Sequence, residues 1–154
     1  MHAERLLPPE TAPEGYATLR QVEAYIRRSG LSPNLVELVK MRASQINGCA
    51  FCLDMHSKDA RKHGETEQRL YLLSGWHESP IYTPAERAAL AWTEALTSLA
   101  ETHAPDADYE PLREYFTDKQ IVDLTILIGM INLWNRLAIG MRYVHDTDQR
   151  AAAQ

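Results

Sequence analysis

Apolar residues recur at every third or fourth position along most of this chain, which is the spacing of amphipathic α-helices. The clearest early example is the stripe formed by Leu19, Val22 and Ile26, with polar residues between them. Together with its prolines and glycines, the pattern predicts six helices, over residues 15–29, 33–47, 49–63, 67–73, 84–100 and 118–141. No alternating run of β-branched residues interrupts them, so we predict an all-α fold.

Capping boxes mark the starts of the last two predicted helices. Thr83 is followed three residues later by Glu86, and Thr117 by Gln120. In this motif each side chain accepts a hydrogen bond from the other residue's backbone N–H, which satisfies two groups that a helix leaves unpaired. The sequence therefore predicts helix starts at residues 84 and 118.

The composition indicates one folded domain. The chain has 154 residues, of which 45% are hydrophobic and 24% charged, as in an average soluble protein. We expect a single helical domain over residues 15–145, with an extended segment over 1–14 and a tail over 146–154. The net charge of −5 disfavours binding to nucleic acid or to an anionic membrane surface.

No membrane span or export signal is expected. The most apolar stretch, residues 124–131, is too short to cross a bilayer, and residues 1–13 have no apolar run of signal-peptide type. We therefore expect a cytoplasmic protein. Gly129 and Gly140 lie inside the last predicted helix, where glycine is costly, and they predict close helix contact within the chain or between subunits.

Two cysteines and a histidine carry the chemistry that the sequence suggests. Cys49, Cys52 and His56 fall within about 60° of one another on a helix of 3.6 residues per turn. The N-terminus of a helix lowers the pKa of a thiol, and a nearby histidine can take its proton. Because His56 lies one turn from Cys52, we predict that Cys52 is the nucleophile, His56 its general base and Cys49 the resolving thiol.

Zinc is an alternative use of the same side chains. Cys49, Cys52 and His56 are of the types that bind zinc, and His63 or a carboxylate could complete four ligands. A structural zinc site normally takes its ligands from two separated segments, and the chain has no further cysteine. A metal-free redox pair is therefore the preferred interpretation.

These residues occur within a longer motif. Residues 37–56, ELVKMRASQINGCAFCLDMH, together with residues 59–65 and 132–139, resemble the AhpD-like alkylhydroperoxidases of the carboxymuconolactone decarboxylase superfamily. The resemblance extends over about residues 15–145. It implies an AhpD-like helical bundle, with the CxxC at the N-terminus of a central helix, and a thiol peroxidase that uses no metal, haem or flavin.

The resemblance also assigns roles to individual residues. It implies that Cys52 reacts with the peroxide, that Cys49 is its partner and proton donor, and that Glu37 completes a proton relay with His56. The family prototype has a histidine directly before the second cysteine, where this chain has Phe51. Arg136 is expected to pair with an acidic residue.

Partners and competing functions follow from the same resemblance. It implies a hydroperoxide substrate, reduction by a thiol or lipoyl-type protein, service to a peroxiredoxin, and assembly into trimers or hexamers. Thiol-disulfide exchange suits a CxxC equally well. A decarboxylase of the superfamily's other branch is a further alternative, although those enzymes generally lack the CxxC, and a zinc-binding helical module is the non-enzymatic one.

Overall fold

The computed structural model describes residues 3–146, and all of its regular elements are helical. In chain order the helices are α1 (Pro8–Thr11), α2 (Pro13–Arg27), α3 (Pro33–Asn47), α4 (Ala50–Lys62), α5 (Glu67–Leu72), α6 (Pro84–Thr97), α7 (Leu99–Thr102), α8 (Asp106–Tyr109), α9 (Leu112–Tyr115) and α10 (Asp118–Met141). A 3-10 turn, Leu73–Gly75, follows α5. The predicted all-α fold is confirmed.

The predicted helix boundaries agree closely with these elements. Both capping boxes are formed, by Thr83 with Glu86 and by Thr117 with Gln120, at the starts of α6 and α10. The segment between Thr97 and Thr117 folds into three single-turn helices that the sequence did not predict. Each of these helices is four residues long, which is too short to show a periodic pattern.

The N-terminal segment is not simply extended, contrary to the prediction for residues 1–14. Residues 8–11 form the turn α1, and α2 already begins at Pro13. Prolines open both helices, because a fixed φ and a missing N–H suit the first helical turn. Most of the predicted tail over residues 146–154 lies outside the described residues.

Helix α3 occupies the centre of the bundle. It packs against α4, α6 and α10, and nine of its fifteen residues are buried. Helix α4 buries only Cys52, His56 and Ala60, so it presents one face to the bundle and is not the central helix. The predicted position of the CxxC at the start of a helix is present, but the helix at the centre is the one that precedes it.

Helix α10 is the longest element. By length and composition it could cross a membrane, but it packs against α2, α3 and α6 and buries ten residues, including Asp123, Asn132 and Asn135. These contacts are those of a core helix. A Cβ built on Gly129 or Gly140 would meet no atom within 4 Å, so the close helix contact predicted at these glycines is absent among residues 3–146. Contact with another subunit there stays a prediction.

Candidate active site

A sharp turn between α3 and α4 places the two cysteines. Gly48 adopts a left-handed conformation (φ 71°), which ends α3 and which residues with a side chain rarely adopt. Cys49 then caps α4, and its Sγ accepts a hydrogen bond from the Cys52 backbone N–H at 3.4 Å. Both cysteines are free thiols and almost fully buried, with 1% and 2% exposed.

The predicted contact between Glu37 and His56 is present. The Nδ1 atom of His56 lies 2.9 Å from Oε2 of Glu37, and both side chains are buried. Glu37 is on α3 and His56 on α4, so the packing of these two helices forms the pair. A carboxylate in this position orients the imidazole ring and stabilises its charged form. The chemical roles of the four predicted site residues remain predictions.

The helix N-terminus acts on Cys49 rather than on Cys52. A hydrogen bond from the Cys52 thiol, opposed by burial and assisted by the Cys52 backbone N–H and by Asn135, lowers the pKa of Cys49 from 9.0 to about 7. The same thiol hydrogen bond, burial and the charge on Cys49 raise the pKa of Cys52. The first proton to leave the pair therefore leaves a thiolate centred on Cys49, and Cys52 donates its remaining proton to that thiolate.

This asymmetry predicts how the reduced protein titrates. A lowered pKa means that the thiolate is present above about pH 7 and is lost below it. We expect thiolate ultraviolet absorbance equal to one sulfur per chain to appear with a midpoint near pH 7. In Cys49→Ser that step should vanish from this range. A single step near pH 9 in the unsubstituted protein, as for an ordinary thiol, would contradict the assignment.

A network of buried polar side chains lies behind the thiols. Asn135 donates to Ser44 Oγ at 3.0 Å and accepts from Asn47 at 2.8 Å, and Asn47 also donates to Asn132 at 2.9 Å. Hydrogen bonds from Asn135 to both thiols, and from Ser44 to Cys52, lower the pKa of the sulfur that each one contacts. These polar groups hold the CxxC segment against α10.

A cavity of about 690 Å³ opens next to Cys52. Cys52, His56 and Glu37 line it, whereas Cys49 does not. Its volume suits a small organic molecule. Much of the wall is apolar, formed by Ile26, Leu31, Val36, Phe51, Met55 and Ala138.

A second buried ion pair lies in the cavity wall. Lys40 Nζ is 2.8 Å from Glu23 Oε2, each side chain is 9% exposed, and Trp134 donates to Glu23 Oε1 at 2.8 Å. Burial alone would raise the pKa of Glu23, but the Lys40 charge and the hydrogen bonds from Lys40 and Trp134 outweigh it, so the pKa falls below its usual value. Sequence reasoning missed both members of this pair. In the sequence, Glu23 and Lys40 each lie next to an apolar position of α2 or α3. This is the signal from which the pair could have been found.

The predicted zinc arrangement is not formed in the described part of the chain. The group there with geometry suited to a metal consists of Glu37, His56 and Asp59, whose ligand atoms lie within 4.8 Å of one another. Neither cysteine belongs to it. The alternative in which Cys49, Cys52 and His56 share one ion therefore lacks the required convergence of ligands.

Other predicted residues have mixed outcomes. Within the described range, Arg136 donates to the backbone and side-chain oxygens of Asn132, at 2.8 and 3.4 Å, and pairs with no acidic residue, contrary to the prediction. Asn132 already accepts from Asn47, so Arg136 extends the polar network. Phe51 packs edge-on against Tyr143, with ring centroids 5.1 Å apart. Tyr143 lines the cavity, and no sequence pattern singled it out, because it lies beyond the last predicted helix.

Known proteins are similar to this chain in sequence. The model of the carboxymuconolactone decarboxylase family matches residues 10–95. The uncharacterized protein YdfG of Bacillus subtilis is 45% identical over 139 residues, which is 90% of this chain and 95% of that protein.

Solved structures support the same assignment. A protein of unknown function from Agrobacterium tumefaciens, provisionally described as the antioxidant defence protein AhpD, is 46% identical with a TM-score of 0.92 and coverage of 95% of this chain and 100% of its own. The debrominase Bmp8 superposes with a TM-score of 0.80 over 89% of this chain and 74% of its own, and at 20% identity it shares the fold alone. This chain belongs to the carboxymuconolactone decarboxylase family, and its fold is AhpD-like.

Proposed function

We propose that this protein is a thiol peroxidase that reduces organic hydroperoxides with the Cys49–Cys52 pair. The observation that carries the proposal is that Cys52 and the hydrogen-bonded Glu37–His56 pair line one cavity, while the low-pKa Cys49 lies beside Cys52. The proposed nucleophile and proton acceptor thus line a space large enough for a substrate, and the proposed resolving thiol lies next to the nucleophile. The AhpD-like relatives are consistent with such a role.

The reaction begins with the removal of one proton from the thiol pair. His56, oriented by Glu37, takes that proton, and the two sulfurs share the one that remains. As the peroxide approaches, the shared proton moves from Cys52 to Cys49, and the Cys52 thiolate attacks the terminal oxygen. The O–O bond breaks, Cys52 becomes a sulfenic acid, and the departing alkoxide takes the proton from Cys49.

The second half-reaction closes a disulfide. The Cys49 thiolate attacks the Cys52 sulfur and expels hydroxide, which takes the proton held by His56 and leaves as water. Two thiols and one hydroperoxide thereby give one disulfide, one alcohol and one water. Two electrons pass from the sulfurs to the peroxide, so the cycle needs a dithiol reductant to restart.

The wall of the cavity favours an organic substrate and a slender reductant. Its apolar side chains suit an alkyl or aryl group better than hydrogen peroxide alone. Because both sulfurs are almost fully buried, a folded protein disulfide has poor access to them. This disfavours general thiol-disulfide exchange with proteins and favours a lipoyl-type dithiol, whose narrow arm can enter the cavity.

Glu37→Gln provides a test of the proton relay. The amide keeps the shape and can still bind His56, but it cannot stabilise a charged imidazole. We expect the rate of peroxide-driven disulfide formation to fall about 10- to 100-fold, measured by stopped-flow tryptophan fluorescence with an alkyl hydroperoxide.

Asp59→Asn is the matched control, because Asp59 is a second carboxylate on the same cavity. If Glu37 and His56 form the relay, the rate of disulfide formation in Asp59→Asn should stay within about threefold of that in the unsubstituted protein. Equal losses in both variants would favour a metal held by Glu37, His56 and Asp59. An unchanged rate in Glu37→Gln would exclude the relay.

A further inference from the structure

Tyr143 is held against the cysteines by a helix-ending motif. Arg142 adopts a left-handed conformation (φ 59°), which is unusual for a residue with a side chain. The chain therefore turns back at the end of α10, and the Tyr143 N–H donates to the Ala138 carbonyl at 2.9 Å. This is the long hydrogen bond of a Schellman motif, and it fixes the position at which the Tyr143 ring begins.

The ring of Tyr143 packs beside the reactive pair. It contacts the buried cluster of Cys49, Cys52 and Ala138, and it meets the edge of Phe51 at an interplanar angle of 82°. Tyr143 and Cys52 both line the cavity. A backbone hydrogen bond and an aromatic contact thus fix this side chain against the cluster that contains both cysteines.

The hydroxyl group of Tyr143 has no hydrogen-bond partner among residues 3–146, although its oxygen is buried. Buried hydroxyl groups nearly always have partners, because leaving one unpaired costs free energy. Burial, with the neighbouring ionisable groups of Tyr16, Glu4 and Cys52, raises the pKa of Tyr143, so the hydroxyl keeps its proton at neutral pH. An unused donor therefore belongs to a side chain that packs against the two cysteines and lines the cavity.

We propose that the Tyr143 hydroxyl donates a hydrogen bond to the leaving oxygen of a hydroperoxide bound at Cys52. This inference rests on the proposed peroxidase function and adds a catalytic residue to it. When the Cys52 sulfur bonds to the terminal oxygen and the O–O bond breaks, negative charge develops on the leaving oxygen. A donor already aimed at that oxygen stabilises the charge, and Tyr143 keeps its proton while Cys49 supplies the one that the alkoxide takes.

Several polar groups around the thiols are already engaged. Phe51 has no hydrogen-bond donor. The Lys40 ammonium is engaged with Glu23, and the Trp134 N–H donates to the same carboxylate. Asn135 is occupied by Ser44, Asn47 and the thiols themselves. Tyr143 therefore combines an unengaged donor with a place beside Cys52.

Tyr143→Phe removes the donor and keeps the ring that packs on Phe51 and Ala138. We expect the rate of disulfide formation with tert-butyl hydroperoxide to fall about 10- to 100-fold. With a percarboxylic acid the leaving group is a stable carboxylate, so the loss should shrink to about threefold or less. Alkylation of the thiols by iodoacetamide, which releases no oxyanion, should keep its rate. Tyr109→Phe, a distant substitution of the same kind, should match the unsubstituted protein in all three reactions.

Each outcome bears on the proposal. Equal rates for Tyr143→Phe and the unsubstituted protein with tert-butyl hydroperoxide would overturn it and leave the peroxidase function intact. An equal fall in all three reactions would also overturn it, because Tyr143 would then act on the thiols or on the packing. No reaction of the unsubstituted protein with any peroxide would overturn the peroxidase function, and this inference with it.

Discussion

Cys52→Ser is expected to lower the rate of hydroperoxide reduction by at least about a thousandfold, because it removes the sulfur that bonds to the terminal oxygen. Cys52 lines the cavity and Cys49 does not, so a peroxide reaches Cys52 first. The measurement is peroxide consumption under single-turnover conditions. Cys49 should stay reduced in this variant, as judged by its mass after alkylation.

Cys49→Ser is the matched control, and it separates the two sulfurs. This variant should still react once with the peroxide, and the sulfenic acid on Cys52 should accumulate because no thiol resolves it. A 1,3-diketone probe would trap that acid. The reverse result, with turnover kept in Cys52→Ser and lost in Cys49→Ser, would identify the low-pKa Cys49 as the nucleophile and contradict the proposed mechanism.

Lys40→Met is expected to destabilise the fold by about 3 kcal/mol or more at pH 7. The substitution keeps the apolar stem of the side chain and removes the charge that neutralises Glu23. Both groups are only 9% exposed, so the carboxylate would stay buried with the Trp134 N–H as its remaining donor. Breaking one side of a buried ion pair costs more than the pair contributes, because a lone charge is left behind.

The pH dependence of that loss follows from Glu23. Its pKa is lowered in the folded protein, so the pair contributes its full stability above the unfolded pKa of 4.5 and loses it as the pH falls through the lower folded value. Urea unfolding should therefore show a large difference between the variant and the unsubstituted protein at pH 7 and a smaller one below pH 4.5. Arg20→Met, an exposed cation on the same cavity, should change the stability by less than about 0.5 kcal/mol. If Lys40→Met also lowered the free energy of unfolding by less than about 0.5 kcal/mol at pH 7, the predicted contribution of the ion pair would be contradicted.

Local signals explain why the long helices could be predicted. Capping boxes at Thr83 and Thr117 and the left-handed glycine at position 48 act through neighbouring residues, so they are visible in the sequence and are formed in the structure. The single-turn helices between Thr97 and Thr117 lack such signals. Side-chain contacts hold that segment, among them Tyr109 against Trp92, and the fold brings these partners together.

The same distinction applies to the candidate site, where some positions follow from helix spacing and others depend on packing between helices. Helix spacing alone places Cys49, Cys52 and His56 on one side of α4, and the family resemblance pointed to Glu37. The ion pair of Glu23 with Lys40, and the position of Tyr143, depend on packing between α2, α3 and α10. No spacing rule specifies such contacts.

The distribution of charge between the thiols also needed the structure. Spacing placed His56 one turn from Cys52 and so predicted the activated thiol at Cys52, whereas the lowered pKa belongs to Cys49. Cys49 receives the backbone N–H and the Cys52 thiol proton, whereas Cys52 faces the cavity. Cys49 therefore carries the negative charge, and in the proposed mechanism Cys52 reacts with the substrate.

The most direct test of the peroxidase proposal is the intact mass and free-thiol count of the reduced, metal-free protein before and after one equivalent of an alkyl hydroperoxide. The proposal predicts that both thiols disappear, that the mass falls by two hydrogens, and that one equivalent of alcohol forms. Survival of both thiols, with the peroxide unconsumed, would contradict it.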